Sequence, residues 1–292
     1  MAVSLSMIGF ATPLTAQQAG GQDTGQTETR GAATFGASWS PARTAQFDMI
    51  PDGGSEDAAF RILVSVPDAP PPSDGYGIIY ALDAGWTFGT LRDAVRMQAS
   101  RFASSAVKPT VIVAIGWPTP DLIDFDRRGA DLIGVAGDVT RRDATLRFIE
   151  HQLLPRIEGA LPVDPGHRMI LGHSFGGAFA LQVRAHRPGL FSHVAAGSPS
   201  IWTDPEGLFA AATPAGAPVL ITIGELETPE MAEASGQPAD RVARLRARDM
   251  HGRARRMAAA LDAQFVEFAG ETHGSSVTVF LSRAVGFLWS GI

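Results

Sequence analysis

A five-residue stretch constrains the fold more than any other part of the chain. Residues 172–176 read Gly-His-Ser-Phe-Gly, after an apolar run at 169–171 and before a helix-like segment at 178–187. A strand, a tight turn with serine at its apex and a helix together predict a nucleophile elbow. The flanking glycines make room for the turn, and the strained apex residue, Ser174, projects its hydroxyl near a helix N-terminus that favours negative charge.

A Gly-rich turn without any chemistry would show the same short pattern in a chain with 32 glycines. The motif is therefore a hypothesis that the rest of the chain must support. The chain's length of 292 residues and its 45% hydrophobic content suit one large α/β domain or two small ones.

Composition excludes several kinds of chemistry. A net charge of −6 gives no electrostatic reason to expect nucleic acid or an anionic membrane as a partner. The chain has no cysteine, which excludes disulfides, thiolate metal sites and a cysteine nucleophile. Lys108 is the only lysine, so a serine–lysine mechanism would have to use that residue.

The N-terminal region differs in character from the rest. Residues 3–14 form an apolar segment too short to span a bilayer, and small residues follow it. We expect a signal peptide at 1–16, and hence export to the periplasm or the medium rather than a cytoplasmic location. No Lys or Arg precedes the apolar run, and an ordinary disordered N-terminus is the alternative. Residues 17–40 are predicted to be a flexible linker, and residues 41–292 a single folded domain.

Apolar runs and helical periodicity alternate along the remaining chain. The predicted strands are 58–67, 76–82, 109–116, 169–171, 191–196, 218–224 and 264–268. The predicted helices are 88–103, 138–159 with a kink or early end at Pro155, 178–187, 240–260 and 275–289. Residues 117–138 are predicted to be irregular and 225–238 a loop. This alternation predicts a mainly parallel sheet with helices on both faces, the arrangement of an α/β-hydrolase.

Ser174 needs a base, because a serine hydroxyl is a weak nucleophile at neutral pH. Among seven histidines, His273 alone follows the last predicted strand, at the carboxyl edge of the sheet. His173 adjoins the serine, and its side chain must point elsewhere on a strained turn. The order serine, acid, histidine along the chain favours His273 as the base.

The acid is expected in the loop after the strand that ends at Gly224. Glu225 and Glu227 both qualify, and Asp240 is a weaker third candidate. We favour Glu227, because the chain should already have turned two residues beyond the strand. A long side chain at that position could then reach back and hold the imidazole of His273.

Two backbone N–H groups are expected to form an oxyanion hole. One belongs to Phe175, the residue after the nucleophile, and the other to the loop after Leu82, where we choose Gly85. An ordinary strand-to-helix turn is the alternative interpretation of that loop.

Several short stretches together are more specific than the elbow. They are Ile-Ile-Tyr-Ala-Leu-Asp at 78–83, Val-Asp-Pro at 163–165, Gly-His-Ser-Phe-Gly-Gly at 172–177, Arg-Pro-Gly-Leu-Phe at 187–191, Ser-Pro-Ser-Ile-Trp at 198–202, Gly-Glu-Leu-Glu at 224–227 and His-Gly-Ser at 273–275. In these stretches the chain resembles the Putative esterase (esterase D-like) family of α/β-hydrolases. Within it, the chain looks most like the enterochelin-esterase branch, which hydrolyses trilactone siderophores.

The resemblance implies roles for particular residues. Ser174 would be the nucleophile, His273 the base, and Glu227 the acid of the Gly-Glu-x-Glu loop. Arg128 resembles an arginine that such esterases place near the substrate, with an ion pair to a loop aspartate as the alternative, and Trp202 resembles an aromatic pocket wall. The chain departs from the family at Leu-Asp-Ala-Gly (82–85) and Asp-Leu-Ile-Gly (131–134), both on the substrate side.

These features predict a serine ester hydrolase that acts through an acyl-enzyme on a small carboxylic ester, such as a siderophore lactone, without a metal or organic cofactor. An acyltransferase using the same triad is one alternative. A catalytically silent α/β-hydrolase acting as a binding module is another, although such a module has no reason to keep all three triad residues.

Overall fold

The structure, a computed structural model, describes residues 43–100 and 105–290. The expected signal peptide at 1–16 and the linker at 17–40 lie outside the described residues. No helix within the described ranges is both long and apolar enough to cross a membrane.

A single mixed sheet positions all the candidate site residues. Within the described residues its strands are β1 (Thr44–Met49), β2 (Phe60–Ser65), β3 (Tyr76–Leu82), β4 (Thr110–Gly116), β5 (Val163–His173), β6 (His193–Gly197), β7 (Val219–Gly224) and β8 (Gln264–Phe268). They lie in the order β1-β2-β4-β3-β5-β6-β7-β8. The β1/β2 and β2/β4 pairs are antiparallel, and every later pair is parallel.

Helices cover both faces of this sheet. They are α1 (Ala84–Gln98), α2 (Phe125–Leu132), α3 (Thr140–Phe148), α4 (Leu154–Glu158), α5 (Phe175–His186), α6 (Pro205–Ala210), α7 (Pro229–Ala234), α8 (Ala239–Arg248), α9 (Met250–Leu261) and α10 (Ser276–Trp289). Strands β3, β4 and β7 are buried at every position, as expected of central parallel strands covered on both sides. The predicted α/β-hydrolase architecture is confirmed.

The alternation of side chains along the strands divides the core into two layers. In β3, Tyr80 and Leu82 point into the cluster that includes Phe179 of α5, whereas Ile79 and Ala81 point into the cluster that includes Phe280 of α10. Successive strand residues face opposite sides of a sheet, so each central strand contributes to both layers. Because β3 and β5–β8 run parallel to one another, their carboxyl ends meet along one edge of the sheet.

Several predictions about the elements are wrong in detail. Strand β1 was not predicted, the segment predicted to be irregular contains α2, and the loop predicted after β7 contains the short helix α7. Only one residue separates the end of β3 from α1 and the end of β5 from α5, so these helices begin four and three residues earlier than predicted. The predicted helix 240–260 is two helices, α8 and α9, because Asp249 between them is left-handed with φ 43° and caps α9 by accepting the N–H of Gly252.

The region around Pro155 behaves as its sequence predicts. A π-helical turn, Ile149–Leu153, separates α3 from α4, and Pro155 lies in the first turn of α4. Proline has no N–H to donate to the preceding turn, so a locally widened turn accommodates it.

Candidate active site

The elbow adopts the strained geometry that its sequence predicts. Ser174 lies between the last residue of β5 and the first of α5, with φ 59° and ψ −115°. A non-glycine residue with positive φ stores about 1–3 kcal/mol of strain, which the surrounding structure must offset. A Cβ on Gly172 would overlap the carbonyl group of Gly176, so the turn requires glycine at position 172.

Contacts with the end of β6 hold the elbow in place. The N–H of Ser174 donates to the carbonyl of Gly197 at 2.9 Å, and the carbonyl of Ser174 accepts the N–H of Ser200 at 3.0 Å. The side-chain hydroxyls of Ser174 and Ser200 lie 3.3 Å apart. The segment after β6 therefore contacts both the backbone and the reactive oxygen of Ser174.

The loops after β7 and β8 bring an acid and a base together. His273 Nδ1 donates to Glu227 Oε2 at 2.7 Å. The Glu227 side chain is 3% exposed and the His273 side chain 48% exposed, so the acid is enclosed while the imidazole reaches the surface of the site. This is the arrangement in which a carboxylate fixes the tautomer of a histidine base.

Glu227 is held ionised by its neighbours. Its other oxygen, Oε1, accepts the Ser198 hydroxyl at 2.5 Å and the N–H of Gly224 at 2.7 Å. Burial alone would raise the pKa of Glu227, but these hydrogen bonds and the contact with His273 outweigh burial and leave the pKa below its ordinary value.

The two alternative acids lie elsewhere. Glu225 is exposed and accepts the N–H of Gly270 at 2.7 Å, which ties the loop after β7 to the loop after β8. Asp240 is exposed on α8 and pairs with Arg244 at 2.5 Å. Of the three candidates, only Glu227 contacts His273 among the described residues.

Ser174 and His273 are not hydrogen-bonded to each other within the described part of the chain. His273 Nε2 has no hydrogen-bond partner there, and the Ser174 hydroxyl contacts Ser200 instead. Catalytic hydrogen bonds are often long in a free enzyme and tighten when substrate binds. The role of Ser174 stays a prediction that rests on the elbow.

Both residues predicted for the oxyanion hole lie in the first turn of a helix. Phe175 is the first residue of α5 and Gly85 the second of α1, so neither N–H has an acceptor within its own helix. A Cβ on Gly85 would lie 2.7 Å from the carbonyl oxygen of Leu122, and this close approach by itself accounts for glycine there. The oxyanion role of the two N–H groups stays a prediction.

Arg128 forms a buried ion pair behind the elbow. Its Nε and Nη2 donate to the two carboxylate oxygens of Asp83 at 2.6 and 2.9 Å, and Nη2 also donates to the carbonyl of His173 at 3.1 Å. Both side chains are nearly inaccessible. The structure thus contains the ion pair that the sequence analysis gave as the alternative, and its partner is Asp83, the residue between β3 and α1. Substrate contact by Arg128 stays a prediction.

Trp202 lies beside the elbow, with its ring 6.1 Å from that of Phe175. The guanidinium of Arg248 lies over the Trp202 ring, 4.4 Å from its centroid. Such a contact between a cation and an aromatic face is favourable, and it places a positive charge near the predicted pocket wall.

Several residues of the site were not singled out from the sequence. They are Asp83, Ser198, Ser200 and Ser276. Ser198 and Ser200 belong to a stretch that carries the family resemblance, and both follow β6 at the edge where the site forms, so their position was the one available indication. His173 points into the protein, as expected, and burial together with its neighbours His273 and Arg128 holds its pKa well below the ordinary value.

The described ranges contain no cluster of three or more His, Asp or Glu side chains able to hold a metal ion.

Comparison with known proteins defines the class to which this fold and site belong. The model of the Putative esterase family matches residues 56–267, and the chain belongs to this family. It is a carboxylic ester hydrolase of the siderophore-esterase-like branch.

Particular relatives share most of the chain. Ferri-bacillibactin esterase BesA of Bacillus subtilis (strain 168) is 34% identical over 255 residues, covering 80% of this chain and 86% of BesA. The structure of the siderophore hydrolase EstB from Aspergillus nidulans has a TM-score of 0.74 at 25% identity and covers 87% of this chain and 98% of EstB. The BES protein from Bacillus cereus has a TM-score of 0.72 at 25% identity, with the same shares covered.

Proposed function

We propose that this ester hydrolase works through a Ser174 acyl-enzyme and that its substrate is a siderophore lactone. The observation that carries the mechanism is the contact of His273 with Glu227 at the same sheet edge as the strained Ser174. The names of its relatives, among them a ferri-bacillibactin esterase and a siderophore hydrolase, support the substrate class.

The first half-reaction acylates the enzyme. Ser174 Oγ attacks the ester carbonyl carbon while His273 Nε2 takes the hydroxyl proton, and Glu227 stays ionised to stabilise the imidazolium. The N–H groups of Phe175 and Gly85 would donate to the oxyanion that forms. Collapse of this intermediate breaks the bond to the leaving alcohol, which receives its proton from His273.

The second half-reaction releases the acid. Water attacks the acyl carbon while His273 accepts one of its protons, and collapse returns that proton to Ser174 Oγ. A second alcohol in place of water would give acyl transfer by the same route.

The substrate proposal is tested with a panel of esters. The purified protein is incubated with ferric and iron-free trilactone siderophores and with a chromogenic short-chain ester. We expect kcat/KM for a trilactone to exceed that for the short-chain ester at least tenfold, and Ser174→Ala to abolish both activities. Ser235→Ala, which removes an exposed hydroxyl at the end of α7, is the matched control and should retain both.

Each other outcome has a definite meaning. Turnover of the short-chain ester alone would contradict the siderophore assignment but not the mechanism. Ser174 labelling by a fluorophosphonate with little hydrolysis, rescued by added alcohols, would favour an acyltransferase. If the protein shows no turnover of any ester and no labelling of Ser174, the remaining interpretation is the catalytically silent binding module.

We also propose that residues 1–16 direct export. The apolar segment and the small residues at its end support cleavage after Ala16. Fractionation of an expressing cell followed by N-terminal sequencing should find a mature chain beginning at Gln17 outside the cytoplasm. A chain that keeps residues 1–16 and remains in the cytoplasm would contradict export.

A further inference from the structure

A group of buried hydroxyls lies behind the His273–Glu227 pair. It comprises Ser198, which follows β6, and Ser276, the first residue of α10, with side-chain oxygens 3.5 Å apart. Ser198 is 0% and Ser276 1% exposed. The large majority of hydroxyls buried this deeply form hydrogen bonds, and both of these have partners within the site.

Ser198 is directed at the acid by an unusual backbone. Its φ of 39° lies in the left-handed region, which a serine adopts rarely. Its N–H donates to the carbonyl of Thr222 in β7 at 2.8 Å. This conformation aims the hydroxyl at Glu227 Oε1, to which it donates at 2.5 Å. The strained backbone of Ser198 thus coincides with the hydrogen bond between its side chain and the acid.

The two oxygens of Glu227 have separate partners. Oε1 accepts the Ser198 hydroxyl and the N–H of Gly224, while Oε2 accepts His273 Nδ1. With Oε1 held by two donors, the carboxylate cannot rotate without breaking at least one short bond to a charged oxygen. Hydrogen bonds to charged groups are about twice as strong as those between neutral groups.

We propose that Ser198 is a positioning residue for the hydrolysis, acting through Glu227 to fix the carboxylate plane and hence the orientation of the His273 imidazole. Ser276 supports the same arrangement from the other side, since its hydroxyl donates to the backbone carbonyl of His273 at 3.2 Å. Ser198 is fully buried and forms no hydrogen bond with Ser174 within the described residues.

This inference rests on the proposed triad, and a double-mutant cycle tests it. Ser198→Ala should lower kcat on the short-chain ester by about 10- to 100-fold, the range expected for loss of a hydrogen bond to a buried charge, and leave KM within twofold. In a Glu227→Ala background the same substitution should lower kcat by less than twofold further, because a residue that acts only through the carboxylate loses its effect when the carboxylate is gone.

Two further variants distinguish the effect of the Ser198 hydroxyl on kcat from that of the backbone conformation. Ser198→Gly suits a φ of 39° and removes the hydroxyl, so it should fold at least as well as Ser198→Ala and show the same loss of kcat. Thr145→Val is the matched control, because it removes a buried hydroxyl in α3 that, in the described chain, donates only to the carbonyl of Arg141, and it should leave kcat unchanged.

The failure of this inference differs from that of the proposed function. If the parent protein neither turns over esters nor reacts with a fluorophosphonate at Ser174, the triad itself fails. If the parent is active but Ser198→Ala lowers kcat equally with and without Glu227, the positioning role is overturned. Full activity in Ser198→Gly would overturn it as well, since the strained backbone and not the hydroxyl would then matter.

Discussion

Only one residue separates Glu225 from Glu227 in the chain, but the two side chains differ in burial and in the groups they contact. Glu227 is enclosed and contacts His273 at 2.7 Å, whereas Glu225 is exposed and binds the backbone of Gly270. The chain turns between them: the N–H of Leu226 donates to the carbonyl of Glu271, and the N–H of Glu227 donates back to Gly224. One carboxylate therefore faces the site and the other the solvent.

This difference predicts unequal effects of the same amide substitution. Glu227→Gln should lower kcat by about 100- to 10,000-fold, because an amide at this position no longer stabilises the imidazolium and favours the wrong tautomer of His273. Glu225→Gln should change kcat less than about threefold, since Glu225 contacts only backbone. Steady-state kinetics of both variants on one ester gives the comparison. A large loss in Glu225→Gln with Glu227→Gln nearly intact would reverse the assignment of the acid.

At the scale of elements, close packing where β5 passes into α5 sets the shape of the elbow. Gly172→Ala should destabilise the protein by about 1–3 kcal/mol or more, because its Cβ would overlap the Gly176 carbonyl. Gly89→Ala is the matched control in α1, where a Cβ meets no atom within 4 Å, and it should stabilise the protein by about 0.5–1 kcal/mol. Urea unfolding measures both. Equal stability of the two variants would contradict this account of the turn.

A buried ion pair joins α2 to the ends of β3 and β5. Arg128→Ala would leave the Asp83 carboxylate buried without its partner and should lower the free energy of unfolding by about 3–5 kcal/mol. Arg244→Ala removes the exposed pair with Asp240 on α8 and should cost about 0–1 kcal/mol.

Kinetics distinguishes this structural role of Arg128 from substrate contact. If Arg128→Ala keeps its stability and only KM for the siderophore rises, then Arg128 acts on the substrate and not as a tie between elements.

At the scale of the whole molecule, buried histidines couple stability to pH. Burial, assisted by the neighbouring His167, lowers the pKa of His193 to about 4. An unfolded histidine titrates near 6.5, so between about pH 6.5 and 4 the unfolded chain binds a proton that the folded chain does not. Stability therefore rises with pH across this window and is lost on acidification.

We propose that residues 41–292 form a single domain, which should melt in one transition. We expect its melting temperature to fall when the pH is lowered from 7 to 5. His193→Gln should reduce that fall, because glutamine takes up no proton on unfolding. Differential scanning calorimetry of both proteins at the two pH values gives the comparison. Equal falls in the two proteins would contradict the role of His193.

Local features of this fold are readable from the sequence, and contacts between distant residues are not. The elbow, the central apolar strands and the order of Ser174, Glu227 and His273 follow from motif and periodicity. Helix α2 was missed because it has only eight residues, four of them charged, and a glycine in its middle. The break at Asp249 uses a left-handed aspartate where glycine would have been the usual indication.

The supporting contacts of the site depend on residues far apart in the chain. Arg128 and Asp83 are 45 residues apart, and Ser198 and Glu227 are 29 residues apart. No spacing rule connects such pairs, because the order of strands in the sheet decides which loops meet. The choice between Glu225 and Glu227 likewise depends on where the chain turns.

The central claim is that Ser174 is the nucleophile of the acyl-enzyme. Incubation with a fluorophosphonate followed by mass spectrometry of peptides tests it most directly. The account predicts one phosphonyl group per chain, on Ser174, with loss of ester hydrolysis in proportion to labelling. An unlabelled Ser174 in a protein that hydrolyses esters, or full activity after complete labelling of Ser174, would contradict it.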